Sequence, residues 1–85
     1  MPKSVFTGDH HTVVQALIAA RKAAGLTQAE LARRIGKDQT FISLIERSQR
    51  RVDVLEFYAL ARAMDVDPVV LYAAVVSKLP CLVTI

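Results

Sequence analysis

The sequence contains little of what disulfide-stapled, zinc-bound or membrane-spanning proteins need. Its 85 residues include one cysteine, Cys81, which excludes an internal disulfide framework and a cysteine-rich zinc site. The longest apolar run, PVVLYAAVV, has nine residues, whereas a membrane-spanning helix needs about 20. The first residues, MPKSVFTGDHH, lack the apolar core of a signal peptide. These absences predict a soluble, cytoplasmic protein.

Residue patterns typical of enzymes are also missing. Ser43 has no histidine or aspartate in a position that suggests a catalytic partner. His10 and His11 diverge by about 100° on a helix, so they cannot share a metal ion, and we expect them at a solvent-exposed helix start. Asp65 and Asp67 flank a loop and a proline, as cap residues do. We therefore expect no catalytic residue, no metal ligand and no cofactor.

The composition is that of a small globular domain. It is 53% hydrophobic and 22% charged, which excludes a disordered chain. A chain of this length buries only about 60–65% of its unfolded surface, so a partner subunit often completes its stability. We expect one domain over residues 1–85, with a core at about 9–79 and a tail at 80–85.

Apolar periodicity predicts helix almost throughout. A residue that can cap a helix precedes each of five apolar segments: Asp9, Thr27, Asp38, Asp53 and Asp67. Glu30 completes a capping box with Thr27, and Gly25 and Gly36 are natural stops for the first two helices. The tail CLVTI is rich in β-branched residues, which predicts a short strand or an extended arm.

The same periodicity selects candidate core residues. In the second and third helices these are Leu31, Ala32, Ile35, Ile42 and Ile45. In the fourth helix they are Leu55, Tyr58, Ala59, Leu60 and Ala61.

Two short helices flank a tight turn in the middle of the chain. Ten residues separate the caps Thr27 and Asp38, and Gly36 lies in the turn. This spacing is typical of a helix-turn-helix, whose second helix enters the major groove of DNA.

The third helix has two chemically different sides. Ile42 and Ile45 mark the buried side, and the opposite sector, about 100° wide, holds Gln39, Thr40, Ser43 and Arg47. Glutamine can bind adenine N6 and N7 together, serine and threonine suit several base edges, and arginine suits guanine or phosphate. The outer side therefore predicts base recognition.

The charge is polarised along the chain. Residues 21–51 contain eight basic and three acidic side chains, a net charge of +5, whereas the rest contains three basic and five acidic, a net charge of −2. A field of this kind steers a polyanion to one side of a protein. A solvated charged face without a partner is the alternative.

The segment GLTQAELARRIGKDQTFISLIERSQRRVD resembles the helix-turn-helix of the phage repressor/Cro-like (XRE) family of bacterial transcriptional regulators. The likeness covers about residues 13–72. It implies an all-α, five-helix, lambda-repressor-like domain that binds double-stranded operator DNA as a homodimer. It also implies a partly buried ion pair between Arg21 and Glu46, near the ends of the first and third helices.

The resemblance further assigns roles within the predicted DNA-binding surface. Gln28 would contact phosphate and brace Gln39. Ser43 and Leu44 would lie deeper in the groove than Gln39 and Thr40. Arg47 would hold the DNA backbone. Lys37 occupies a turn position that is more often apolar, so it would point to phosphate. Leu44 would contact either a thymine methyl group or Phe41. The predicted set is Gln28, Lys37, Gln39, Thr40, Ser43, Leu44, Arg47, Arg50 and Arg51.

The fifth helix is apolar nearly all round, and an outer helix buries only one stripe against its own core. A partner should cover the remainder, and a second copy of the chain is the simplest one. The predicted dimer interface consists of Val69, Tyr72, Val75, Val76, Leu82 and Val83.

Three kinds of binding protein fit these features. The first is a repressor or activator, including the controller proteins of restriction–modification systems. The second is a DNA-binding antitoxin, which would give another surface to its toxin. The third is an interaction module that has lost DNA binding, which Gln28, Gln39 and the polarised charge argue against. A toxin or RNA polymerase is a further candidate partner.

Overall fold

The computed structural model describes residues 8–83, which form five helices and, within that range, no strand. The helices are α1 (His10–Ala23), α2 (Gln28–Arg34), α3 (Gln39–Glu46), α4 (Val54–Ala63) and α5 (Pro68–Val76). The prediction of an all-α fold is confirmed. No helix within residues 8–83 is both long and apolar enough to span a membrane. Residues 1–7 of the N-terminal segment considered for a signal peptide lie outside the described residues.

At the start of four helices, the predicted N-cap residue makes a side-chain hydrogen bond to the backbone of the first turn. Thr27 and Glu30 form the expected capping box, with N–O distances of 3.0 and 2.9 Å. Asp38, Asp53 and Asp67 each accept a backbone N–H from the first turn of α3, α4 and α5. Asp9 occupies the N-cap position of α1 but makes no side-chain capping bond. Its backbone is already helical there, whereas a capping residue normally has extended dihedrals.

Four of the helices end in the same local structure. A left-handed residue follows each helix, and the next N–H binds a carbonyl of the last turn: Leu26 to Arg21, Lys37 to Ala32, Gln49 to Leu44 and Val66 to Ala61. The left-handed residues are Gly25, Gly36, Ser48 and Asp65. The two glycines were predicted as stops. The other two ends have no glycine signal, although Ser48 and Asp65 adopt the same φ region, with φ of 58° at each.

The core lies where the inner faces of the five helices meet. Its buried members include Leu17, Leu31, Ala32, Ile42, Ile45, Leu60, Ala61, Met64 and Leu71. The predicted core residues of α2 and α3 are confirmed, with Ile35 partly buried. Ala32 is fully buried, and its small side chain suits the close packing of α2 on α3.

The assignment of Leu55 and Tyr58 to the core is wrong. Their exposed fractions are 76% and 48%. The buried side of α4 is set by Leu60, and at 100° per residue Leu55 and Tyr58 lie about 140° and 160° away from it. Both side chains therefore point away from the core.

The fifth helix buries one side and exposes the other. Leu71 and Val75 are buried, whereas Val69, Tyr72 and Val76 are exposed. Val75 has an exposed fraction of 0%, so its assignment to a dimer interface is wrong: it belongs to the core of a single subunit. Residues 81–83 contain no strand, with Leu82 and Val83 exposed, and the last two residues of the tail lie outside the described range.

Replacing the cap of α2 should destabilise the domain measurably. Thr27→Ala removes the hydroxyl that accepts the Glu30 N–H, and we expect the free energy of unfolding to fall by about 1 kcal/mol. Thr40→Ala is the matched control, since Thr40 is exposed within α3 and should change it by less than about 0.5 kcal/mol. Urea unfolding at fixed protein concentration measures both, and equal effects would contradict the capping role.

Candidate nucleic-acid interface

The helix-turn-helix formed by α2 and α3 presents one side of α3 to solvent. Gln39, Thr40 and Arg47 are exposed, and Ser43 and Leu44 are half-buried. Ile42 and Ile45 on the opposite side are each 2% exposed. The two-sided character predicted for this helix is confirmed. The outer side can donate and accept hydrogen bonds, since it presents an amide and two hydroxyl groups.

An ion pair beneath this surface joins α1 to α3. The Arg21 guanidinium donates Nε to Glu46 Oε2 at 2.6 Å and Nη2 to Glu46 Oε1 at 2.9 Å. It also donates Nη1 to the Leu26 carbonyl oxygen at 2.8 Å, in the turn between α1 and α2. The two side chains are only 12% and 9% exposed. The ion pair that the family resemblance implied is therefore present and largely buried.

Gln28, at the start of α2, connects this ion pair to the outer surface. Its Nε2 donates to Glu46 Oε1 at 3.0 Å, and its Oε1 accepts Nε2 of Gln39 at 3.1 Å. The predicted bracing of Gln39 by Gln28 is confirmed, whereas contact with phosphate stays a prediction. The bond to Glu46 was not predicted, because no local pattern relates side chains 18 residues apart.

Phe41 lies between two of the predicted basic residues. Lys37 Nζ is 5.4 Å and the Arg50 guanidinium carbon 4.5 Å from the centre of its ring, both within range of a cation–π contact. Phe41 was not predicted as a positioning residue, although an aromatic side chain among cations is a usable signal. The ring places Lys37 and Arg50 beside the same part of α3.

Arg50 is also anchored to α4. It donates Nη1 and Nη2 to the two Glu56 carboxylate oxygens at 2.8 and 2.7 Å. The bonds from Arg50 lower the pKa of Glu56, and the same bonds raise the pKa of Arg50. Glu56 was not predicted as a partner of Arg50; it also completes a capping box with Asp53. Any DNA contact of Arg50 would thus come from a guanidinium already held in place.

The remaining predicted arginines flank the end of α3. Arg47 and Arg51 are exposed, and Arg47 Nε donates to the Ser43 carbonyl oxygen at 3.4 Å. Lys37 lies at the other end of α3, directly before its N-cap residue Asp38. The phosphate contacts of these three residues stay predictions.

The adjacent histidines are placed differently from the prediction of a solvated helix start. His11 is exposed, but His10 is half-buried, and its Nε2 accepts the Val52 N–H at 3.4 Å. Burial, followed by the nearby charge of Arg51, lowers the pKa of His10, which favours the neutral ring that can accept this bond. His10 therefore fixes the start of α1 against the connection between α3 and α4.

Loss of the buried carboxylate should destabilise the domain more than loss of a more exposed one. Glu46→Ala leaves Arg21 without its partner, and we expect the free energy of unfolding to fall by about 2–4 kcal/mol. Glu56→Ala is the comparison, because the Arg50–Glu56 side chains are 38% and 24% exposed; we expect about 1 kcal/mol for that pair and its cap bond. Urea unfolding measures both, and a loss for Glu46→Ala no larger than that for Glu56→Ala would contradict the difference.

The sequence of this chain is similar to those of known helix-turn-helix proteins. The sequence model of the helix-turn-helix family matches residues 17–71, more than half of the chain. The uncharacterized HTH-type transcriptional regulator y4dJ of Sinorhizobium fredii is 41% identical over 49 residues, which cover 58% of this chain and 64% of that protein. The match thus spans somewhat less than two thirds of that curated relative.

Solved structures extend the likeness to most of the chain. An XRE-family like protein from Pseudomonas syringae pv. tomato is 39% identical, with a TM-score of 0.78 over 85% of this chain and 88% of that one. The restriction-modification controller protein C.Esp1396I, solved as a tetramer with its natural 35-base-pair operator, is 25% identical, with a TM-score of 0.76 over 85% and 95%. The chain belongs to the XRE-type helix-turn-helix family of DNA-binding regulators.

Proposed function

We propose that this protein regulates transcription by binding double-stranded DNA with α3 in the major groove. The observation that supports this most is the outer side of α3, where Gln39 is held by Gln28 beside the hydroxyl groups of Thr40 and Ser43. The major groove is wide enough for a helix and displays a different donor and acceptor pattern for each base pair. Uncharged polar side chains match that pattern.

The arrangement favours recognition over loose electrostatic attachment. Gln39 is already hydrogen-bonded to Gln28 at 3.1 Å, so less side-chain freedom is lost when it meets a base. The basic residues around α3, Lys37, Arg47, Arg50 and Arg51, would contact phosphates, which fix orientation and supply most of the salt-dependent affinity. Neutral and charged side chains thus have separate roles.

The kind of regulator that we propose is a controller or repressor. C.Esp1396I is a controller protein described in complex with its natural operator, and it shares most of this fold. The relative from Sinorhizobium fredii is named a transcriptional regulator. These likenesses favour operator binding over the antitoxin interpretation. The family is one of DNA-binding regulators rather than of enzymes.

The operator would be bound by a homodimer formed through α4 and α5. Exposed apolar side chains lie on both helices: Val54, Leu55, Tyr58, Val69, Tyr72 and Val76. Several of them line an apolar groove of about 540 Å³, together with Val13, Val52 and Phe57. Continuous apolar surface of this kind is typical of a contact between subunits.

A second copy of the chain would cover the exposed apolar surface and supply a second α3 for the DNA. A two-fold axis beside α5 buries the same apolar face of each subunit. It also sets two copies of α3 about 34 Å apart, one turn of DNA, which suits a palindromic operator. The exposed Leu82 and Val83 would extend this interface.

Base and phosphate contacts should respond differently to substitution. Gln39→Ala should reduce discrimination at one base pair by about 1–3 kcal/mol and change binding to random DNA little. Arg47→Ala should weaken binding to operator and random DNA alike and reduce the slope of log K against log salt by about one. Fluorescence anisotropy with selected and scrambled duplexes measures both; equal losses of Gln39→Ala on the two duplexes would contradict base recognition.

The dimer should depend on the exposed side of α5. Val76→Asp places a charge in the apolar contact, and we expect a monomer in sedimentation equilibrium at tens of micromolar, where the unmodified protein is a dimer. Ala29→Asp is the control, because Ala29 is exposed on α2, away from α5, and it should stay dimeric. A monomeric unmodified protein, or a dimeric Val76→Asp variant, would place the interface elsewhere.

A further inference from the structure

Four side chains form a continuous hydrogen-bonded series from the core to the DNA-facing surface. Arg21 donates to Glu46, Gln28 donates to the same carboxylate, and Gln39 donates to Gln28. The donor–acceptor distances after the ion pair are 3.0 and 3.1 Å. Glu46 and Arg21 are almost buried, whereas Gln39 is exposed. The series therefore connects the buried Glu46 carboxylate to Gln39, the first residue of α3.

The direction of every bond in this series follows from the carboxylate. An ionised carboxylate only accepts hydrogen bonds, whereas a glutamine amide has an accepting end and a donating end. Gln28 must therefore turn Nε2 toward Glu46, which leaves its Oε1 facing Gln39. Gln39 must in turn give Nε2 to that oxygen, because two amide oxygens would repel each other.

The orientation of Gln39 decides which base it matches. With one N–H given to Gln28, Gln39 still offers Oε1 as an acceptor and its second N–H as a donor. That pair is complementary to adenine, which presents the N6 donor beside the N7 acceptor in the major groove. The opposite orientation exchanges the two groups, so that the Gln39 donor faces the N6 donor of adenine, whereas the same donor can bind the O6 acceptor of guanine.

We propose that Glu46 is a positioning residue for base recognition: through Gln28 it fixes the Gln39 amide in the orientation that selects adenine over guanine. The proposal rests on the proposed function, since it requires α3 to lie in the major groove. It assigns Glu46 a role in sequence preference in addition to its pairing with Arg21. A purely structural Glu46 would affect binding to every duplex equally.

Glu46→Gln tests the proposal with nearly the same side-chain shape. An amide at position 46 that keeps its oxygen on Arg21 Nε, the shorter of the two Arg21 contacts, gives up the bond from Arg21 Nη2 and turns its NH₂ group toward Gln28. This reverses the amides of Gln28 and Gln39. We expect the preference for adenine over guanine at the base pair read by Gln39 to fall at least tenfold, within the range that one bidentate base contact supplies.

The DNA sequence that the protein prefers can be identified by selection from a random library. The unmodified protein is incubated with a library of random 30-base-pair duplexes, the bound duplexes are sequenced, and Gln39→Ala identifies the base pair that Gln39 reads. Dissociation constants are then measured for the four duplexes that differ at that base pair. All variants are compared at a temperature at which circular dichroism shows them folded.

Two further variants separate positioning from stability. Glu56→Gln makes the same chemical change in the Arg50–Glu56 pair, outside the series, and should leave the adenine-to-guanine ratio unchanged. Gln28→Ala interrupts the series without altering the ion pair, so it should lower the ratio by itself and make a further Glu46→Gln substitution ineffective on it. Gln28→Ala also tests the proposal should Glu46→Gln fail to fold.

The outcomes distinguish the two levels of the proposal. If the unmodified protein selects no sequence, the proposed function is wrong and the role of Glu46 is lost with it. If Gln39 reads a base pair but prefers a base other than adenine, or if Gln28→Ala or Glu46→Gln leaves the ratio unchanged, only the positioning role is overturned. A uniform loss of affinity across all four duplexes for Glu46→Gln also overturns it.

Discussion

The ion pair between Arg21 and Glu46 is the interaction on which the arrangement of the helix-turn-helix depends. It touches α1, the turn at Leu26, α2 through Gln28, and α3. Desolvation makes a buried ion pair a modest source of net stability, but its strict geometry can dictate one arrangement over others. Here that geometry sets how α3 is held against α1 and α2, with the apolar contacts of Ile42 and Ile45 filling the space around it.

Much of the fold could be predicted because its boundaries are encoded locally. Thr27 with Glu30, and Gly36 in the turn, act through neighbours three or four residues away, so the sequence alone displays them. Ser48 and Asp65 end their helices in the same way as glycine does, but their identity gives no such signal. The buried face of a helix that is apolar nearly all round is still harder to predict. Leu55, Tyr58 and Val75 are all apolar or aromatic, and only packing decides which of them is buried.

In the candidate site, too, local features could be predicted and contacts between distant residues could not. The outer side of α3 could be predicted from helix geometry once Ile42 and Ile45 were placed inside. The contacts that orient its side chains join distant parts of the chain: Gln28 to Glu46 across 18 residues and His10 to Val52 across 42. Periodicity cannot reveal such pairs, and the anchoring of Arg50 by Phe41 and Glu56 was missed for the same reason.

The eight-residue length of α3 has a consequence for how its solvent-facing surface is maintained. Isolated helices shorter than about 12–15 residues are barely stable in water, because few hydrogen bonds offset the cost of nucleation. A peptide copied from α3 would therefore lose its helical shape, however favourable its side chains. The surface of α3 exists only while the surrounding domain is folded, so local opening of the core abolishes this surface as a whole rather than weakening it contact by contact.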